Sequence, residues 1–127
     1  MITLKFDSSR REEMIDITRE VERELPDGDG VCVLFVQHTT CGLTVNENAD
    51  PDVQSDMLGL LQRLIPQYVE HFKHGEENSD AHIKSSLVGS SATVPFEKGK
   101  LALGRWQGVY LCEFDGPRMR KVVMKTI

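Results

Sequence analysis

The sequence predicts a single α+β domain, a compact sandwich in which helices pack against a mixed or antiparallel sheet. Three observations support this class. Strand-like segments occur at both ends of the chain, helical spacing occurs between them, and the two do not alternate in a regular βαβ order. At 127 residues the chain has room for one hydrophobic core and is too short for two domains.

The N-terminal part predicts a strand, a helix and two further strands. Apolar residues alternate along 1–6, which is typical of a strand with one buried face. Ser9 and Glu12 have capping-box spacing before a helix. The apolar positions of that helix are Met14, Ile17, Val21 and Leu25. An apolar run at 31–36 predicts a buried strand, and a second short strand follows at 43–45.

The rest of the chain predicts two helices and a C-terminal meander. Asp50 caps a helix that begins at Pro51, carries a core-facing apolar stripe and is closed by Pro66. Residues 69–80 are polar and predict a loop, and Ser79 or Asp80 caps the short helix after it. The remaining strands are predicted at 92–96, 101–103, 106–114 and 119–127. Residues 115–117 connect the last two.

Composition excludes several classes of function. The hydrophobic fraction of 39% and the charged fraction of 28% are those of an ordinary globular protein. No run approaches a membrane span, and a net charge of −5 without a basic stripe argues against nucleic acid as a partner. Three cysteines without close spacing predict free thiols and a reducing cytoplasmic location.

Polar residues whose side chains can bind metals or transfer protons lie between the strand at 31–36 and the helix that begins at Pro51. His38, Asn46 and Glu47 lie in this stretch. A metal-binding imidazole and a candidate general base this close to a buried strand indicate a site. From the residues alone, each of the four histidines could equally be a locally hydrogen-bonded loop or core residue.

Three long motifs give the chain a resemblance to a known family. HTTCGLTVNENADPDV begins at His38, HIKSSLVGSS at His82 and KGKLALGRWQGVYLCE at Lys98. Together they resemble the YjbQ-like family, which is described as secondary thiamine-phosphate synthase enzymes. The matching blocks run from about Phe35 to the C-terminus. The resemblance implies one YjbQ-like domain over residues 1–127, a compact α/β sandwich and a homotrimer with sites near the subunit boundaries.

The same resemblance implies an activity and a metal site. The activity is the coupling of a pyrimidine methyl diphosphate with a thiazole phosphate, so the substrate is a small phosphorylated molecule. The family pattern points to His38, His71 and His82 as metal ligands and leaves His74 a bystander. Three imidazole ligands with one or more open coordination positions on the metal suit zinc better than magnesium. Magnesium is the alternative metal. Glu47 is then expected to accept a proton from metal-bound water.

The predicted substrate-binding residues come from three segments. Lys84, Ser85 and Ser86 are expected in the first turn of a helix, where free amides favour an anion. Trp106 lies between two glycines and can stack on a heterocycle or fill a subunit contact. The complete set is Thr39, Asn46, Asn48, Lys84, Ser85, Ser86, Trp106 and Gln107.

Other interpretations stay open at this point. A metal-dependent hydrolase or lyase of a small phosphorylated or heterocyclic metabolite fits the same residues, and so does a non-catalytic trimer that binds a metal or small ligand. Cys41 is expected to be a packing residue and not a nucleophile, because its sequence neighbours need not face it. Glu113, Arg118 and Arg120 are expected to pair across the final hairpin.

Overall fold

The computed structural model describes residues 1–127 and contains eight strands and three helices. The strands are β1 (Ile2–Asp7), β2 (Glu13–Asp16), β3 (Gly30–Val36), β4 (Cys41–Glu47), β5 (Ser91–Glu97), β6 (Lys100–Leu101), β7 (Gln107–Glu113) and β8 (Met119–Thr126). The helices are α1 (Thr18–Arg23), α2 (Pro51–Leu64) and α3 (Ser79–Val88). The predicted α+β class is confirmed.

The strands form two sheets in which every pairing is antiparallel. The larger sheet has the order β1-β8-β3-β5-β6, and the smaller has the order β2-β7-β4. The main core lies between them, where alternate residues of each strand meet. On β3 these are Cys32, Leu34 and Val36, all at most 1% exposed, whereas Phe35 points outward and is 43% exposed. The strand predicted as buried is therefore buried on one face.

The third layer consists of α2 and α3 on the outer side of the smaller sheet. Strand β7 is buried on both faces: Val109 and Leu111 join the main core, and Tyr110 and Cys112 join a second cluster. Apolar residues of both helices pack against that second cluster. No residue of α2 is fully buried, so its stripe covers the sheet only partly. No helix in the chain is long and apolar enough to cross a bilayer.

The predicted helix after Ser9 is wrong over its first half. Residues Glu13–Asp16 form β2, which pairs with β7, and α1 is only six residues long. An edge position beside β7 was available, and pairing there satisfies backbone groups that a helix would satisfy internally. Ile15 packs against the main core and Met14 against the second cluster, as strand alternation requires.

The predicted C-terminal meander is also wrong. β5 and β6 pair as a hairpin, but β7 belongs to the smaller sheet and β8 to the larger. The chain changes sheets through residues 114–118, and a Cβ added to Gly116 would lie 2.2 Å from the carbonyl oxygen of Arg10. The tight corner explains why a glycine stands there. It also puts Glu113 and Arg120 on opposite sheets, facing each other across the sandwich.

Helix capping is predicted correctly in one place and incorrectly in the other. Asp50 caps α2, and its carboxylate accepts a hydrogen bond from the Asp52 amide at 2.9 Å. α3 is preceded by Asn78, whose side chain makes no capping bond. The Asp80 carboxylate does not cap the helix, because it accepts hydrogen bonds from Arg11 and Lys84.

Candidate functional site

Strand β4 separates the predicted site residues into two groups. His38 and Thr39 lie three and two residues before its first residue, Cys41, whereas Glu47 is its last. Six residues of extended strand at ~3.3 Å each place these ends about 20 Å apart. The residues that the sequence suggested as one site therefore lie at two ends of a strand within a single chain.

The first group lines a cavity of about 470 Å³, here named the histidine cavity. It lies where the loop between β3 and β4 meets the C-terminal half of α3. Its lining consists of His38, Thr39, Cys41, His82, Ser85, Ser86, Gly89 and Ser90. Four hydroxyls and two imidazoles contribute hydrogen-bonding groups, and none of the 20 acidic residues of the chain takes part. In a chain of net charge −5, this composition favours an anion over a cation.

Close contact between β4 and the end of α3 creates this cavity. The Leu43 amide donates to the Gly89 carbonyl oxygen at 2.9 Å. A Cβ on Gly42 would lie 2.6 Å from the same oxygen, so only glycine permits the approach. This contact brings His38 and His82 to one cavity although they are far apart in sequence.

Ser85 is the most informative residue of the lining. It is 7% exposed, and its hydroxyl has no hydrogen-bond partner in the chain. The Ser86 hydroxyl, by contrast, donates to the His82 carbonyl oxygen at 3.0 Å. An unpartnered buried hydroxyl costs free energy, so the Ser85 side chain retains capacity for an external partner.

A buried ion pair beneath the loop at 38–41 holds that loop in place. Arg120 and Glu113 are 2% and 0% exposed, and the Arg120 Nη2 group lies 2.5 Å from Glu113 Oε2. Arg120 Nη2 also donates to the Thr40 carbonyl oxygen at 3.1 Å and hydroxyl at 2.8 Å. The Ser8 hydroxyl donates to Glu113 at 2.6 Å.

Electrostatics of the pair follow from these bonds. Burial alone would raise the pKa of Glu113, but hydrogen bonds from Arg120, Ser8 and the Asp115 amide lower it below its usual value. The predicted pairing of Glu113 with Arg120 exists, but across two sheets, and Arg118 instead pairs with Asp115 at 3.1 Å. Sequence reasoning missed the link to Thr40, which depends on the change of sheet.

Burial changes the pKa of two side chains in the cavity lining, His38 and Cys41. Burial, together with the nearby Arg120 charge, lowers the pKa of His38. Burial raises the pKa of the Cys41 thiol to about 11, so the thiolate is scarce at neutral pH. Cys41 belongs to the main core cluster, which agrees with a packing role.

The histidines do not gather into the expected ligand set within one chain. His71 is exposed, lies outside the histidine cavity and has its ring 6.0 Å from that of Phe72. The imidazole beside His82 is that of His74, with ring centroids 5.5 Å apart. No three histidine, cysteine or acidic side chains in the chain are placed to share one metal ion. The residues of a single chain therefore do not fit a three-ligand zinc site.

Lys84 is placed differently from the predicted anion site. It is 1% exposed and donates to Glu12 at 2.6 Å and to Asp80 at 2.7 Å. Its charge is already matched by two carboxylates. α3 begins at Ser79, so 84–86 lie beyond the first turn and its free amides.

The second group surrounds Glu47. The Asn46 side chain accepts from the Glu47 amide at 2.7 Å, and the Asn48 amide donates to the Trp106 carbonyl oxygen at 2.8 Å. Trp106 is 54% exposed, with the Arg105 guanidinium 4.8 Å from its ring centroid. Gln107 is opposite Glu47 in the β4–β7 ladder and accepts from the Gly104 amide. These polar side chains stabilise a strand end within the chain.

Comparison with known proteins agrees with the resemblance seen in the motifs. The family model described as UPF0047 protein YjbQ-like matches residues 2–127. UPF0047 protein YugU of Bacillus subtilis is 50% identical over 128 residues, covering 98% of this chain and 97% of that protein. A relative from Methanocaldococcus jannaschii is 49% identical over 94% of this chain and 88% of its own length.

Solved structures agree with the fold over its whole length. A conserved hypothetical protein from Thermus thermophilus superimposes with a TM-score of 0.97 at 47% identity, with both chains covered completely. An uncharacterized conserved protein from Clostridium acetobutylicum gives 0.95 at 49% identity, again with complete coverage. The chain therefore belongs to the YjbQ-like UPF0047 family.

Proposed function

We propose that the histidine cavity binds the phosphate group of a small metabolite and that the chain acts on this metabolite as an enzyme. The observation that carries the proposal is the lining, which offers hydroxyl and imidazole groups and no carboxylate. Phosphate oxygens accept hydrogen bonds, and the unpartnered Ser85 hydroxyl is a donor without an acceptor.

The candidate reaction is the one implied by the resemblance, formation of thiamine phosphate. The thiazole nitrogen would attack the pyrimidine methylene carbon, the carbon–oxygen bond would break, and its electron pair would leave with diphosphate. Donors in the cavity would stabilise the charge that develops on that leaving group. His82 lines the cavity from α3, and its imidazole would donate a proton to the leaving diphosphate.

A divalent metal, zinc or else magnesium, remains a prediction of the resemblance. Because one chain does not assemble His38, His71 and His82, no step of the proposed reaction depends on a metal. Metal analysis of purified protein tests this prediction directly. A stoichiometric metal that is lost in His71→Gln would mean that a second copy completes the ligand set.

We also propose that the protein is a homotrimer. Large apolar side chains are exposed on several elements, among them Leu64 at 69%, Tyr68 at 71% and Leu87 at 68%. Assembly would cover such residues and could bring the Glu47 end of one copy beside the histidine cavity of another. If the reaction is instead hydrolysis of a phosphorylated metabolite, Glu47 in that arrangement would accept the proton of the attacking water, and Glu47→Gln should cut turnover by about 10²–10⁴-fold. Light scattering that gives the 14.3 kDa monomer mass would exclude the trimer.

The activity is tested by incubating the protein with the two phosphorylated substrates and measuring thiamine phosphate by mass spectrometry. His82→Gln should lower turnover by about 10²–10⁴-fold if His82 transfers a proton. His71→Gln is the matched control, because it removes an imidazole outside the cavity, and it should retain turnover. Failure of the wild-type protein to form product would refute this reaction. Phosphate binding without product would leave hydrolysis, elimination or simple ligand binding to be assayed.

A further inference from the structure

We infer that His38 is a fixed hydrogen-bond donor to the ligand, because the Lys121 amide holds its imidazole in the tautomer protonated on Nδ1. The inference rests on the proposed function for the identity of the ligand. For the tautomer it rests only on the geometry of the chain. It gives His38 a role different from the metal ligand that the resemblance implies.

The key contact lies where β3 stops pairing with β8. Val36 and Val122 are the last paired residues of the two strands. One residue further along β8, the Lys121 amide has no backbone acceptor on β3 and donates to His38 Nε2 at 2.9 Å. The imidazole thus replaces a carbonyl group at the end of the ladder and satisfies an amide that would otherwise lack a protein partner.

This contact determines which nitrogen of His38 carries the proton. A backbone amide can only donate, so Nε2 must present a lone pair. In the neutral ring the proton is then on Nδ1, which makes no hydrogen bond within the chain. Metal binding through Nδ1 would require a proton on Nε2, which would place two donors against each other. Metal binding through Nε2 would displace the amide.

Contacts from β8 on both sides of Thr39 hold the loop in this arrangement. Arg120, adjacent to Lys121, binds the carbonyl and hydroxyl oxygens of Thr40. The loop is therefore anchored on both sides of Thr39 by two consecutive residues of β8.

The consequence is a preference for ligands that present an acceptor. A neutral imidazole whose Nδ1 proton has no partner in the chain can donate to a phosphoryl or carboxylate oxygen. It cannot accept a proton on Nε2 without losing the Lys121 amide. His38 would therefore bind and orient the ligand, and proton transfer would be left to other groups.

Nitrogen-15 NMR of protein labelled at histidine tests the tautomer directly, at about pH 8 where an ordinary imidazole is neutral. The expected spectrum shows His38 protonated on Nδ1, a coupling from the Lys121 amide to Nε2, and a change at Nδ1 when inorganic phosphate is added. Zinc ions should leave both nitrogens of His38 unchanged. A proton on Nε2, or zinc-induced changes at either nitrogen, would overturn the inference.

A matched pair of variants distinguishes the effect of losing the Lys121 amide proton from the effect of losing the Lys121 side chain. Lys121→Pro removes the proton that donates to His38, whereas Lys121→Ala retains it. We expect phosphate affinity to fall about tenfold in the proline variant and to stay within twofold in the alanine variant. If the proline variant does not fold, the wild-type tautomer still decides the question. If calorimetry shows no phosphate binding to wild-type protein while the Nδ1 tautomer is present, the proposed function fails and the tautomer stands.

Discussion

Replacing Arg120 by methionine should destabilise the fold strongly, because it leaves Glu113 buried without its cation. Glu113 is 0% exposed and would retain only the Ser8 hydroxyl and the Asp115 amide. Removing one partner of a buried ion pair costs about 3–5 kcal/mol. For a domain of this size that corresponds to a fall of about 12–20 °C in melting temperature. Thermal and urea unfolding followed by circular dichroism measure both quantities.

Arg118→Met is the matched control for this experiment. Arg118 pairs with Asp115, but it is half-exposed, and exposed pairs contribute at most about 1 kcal/mol. The double variant Arg120→Met, Glu113→Gln should regain part of the lost stability, because no buried charge is left uncompensated. A loss below about 1 kcal/mol for Arg120→Met alone would refute the view that this pair anchors the loop at 38–41.

The same pair predicts how stability depends on pH. The folded-state pKa of Glu113 lies below its ordinary value of 4.5, so its contribution is present above about pH 4.5. That contribution should be lost as the pH falls further, through the folded-state pKa. In Glu113→Gln this acid-dependent part of the unfolding free energy should disappear.

Three further substitutions test the junction that forms the cavity and the thiol beside it. Gly42→Ala should destabilise by about 1–3 kcal/mol, because the new Cβ would meet the Gly89 carbonyl oxygen. Gly59→Ala on α2, where a Cβ meets nothing within 4 Å, should be neutral or stabilising by up to about 1 kcal/mol, and equal effects would contradict the close approach at Gly42. Cys41→Ala should leave turnover within a few-fold, since a thiol with a pKa of about 11 is a poor nucleophile. Loss of all turnover would instead indicate covalent catalysis.

Local signals in the sequence predict much of the fold. The cap and proline at Asp50 and Pro51 determine where α2 begins, and alternating apolar residues identify β5 and β8. Residues 13–16 are predicted as the start of a helix because so short a segment fits both the 3.6-residue period of a helix and the two-residue period of a strand. Their strand conformation depends on pairing with β7, about a hundred residues away. A single sequence shows the spacing of its apolar residues, but it does not show which distant strand a segment will pair with.

The candidate site is predictable only in part, for the same reason. His38, Thr39, His82, Ser85 and Ser86 are identified by motif, and the structure brings them to one cavity. Glu47 and its neighbours belong to the same motif but lie at the far end of β4, because a strand carries consecutive residues away from one another. The link from Arg120 to Thr40 gives no sequence signal, since it joins a strand of the larger sheet to the loop at 38–41.

The most direct test is a phosphate titration of the uniformly nitrogen-15-labelled protein, followed by amide chemical shifts. If the histidine cavity is the binding site, amides of residues 38–41 and 82–90 should shift together and saturate. Those of the β5–β6 turn at 98–99, at the end of β5 far from the cavity, should stay in place. Shifts confined to the Glu47 end of β4, or no saturable shifts at either end, would contradict the assignment of this cavity as the functional site.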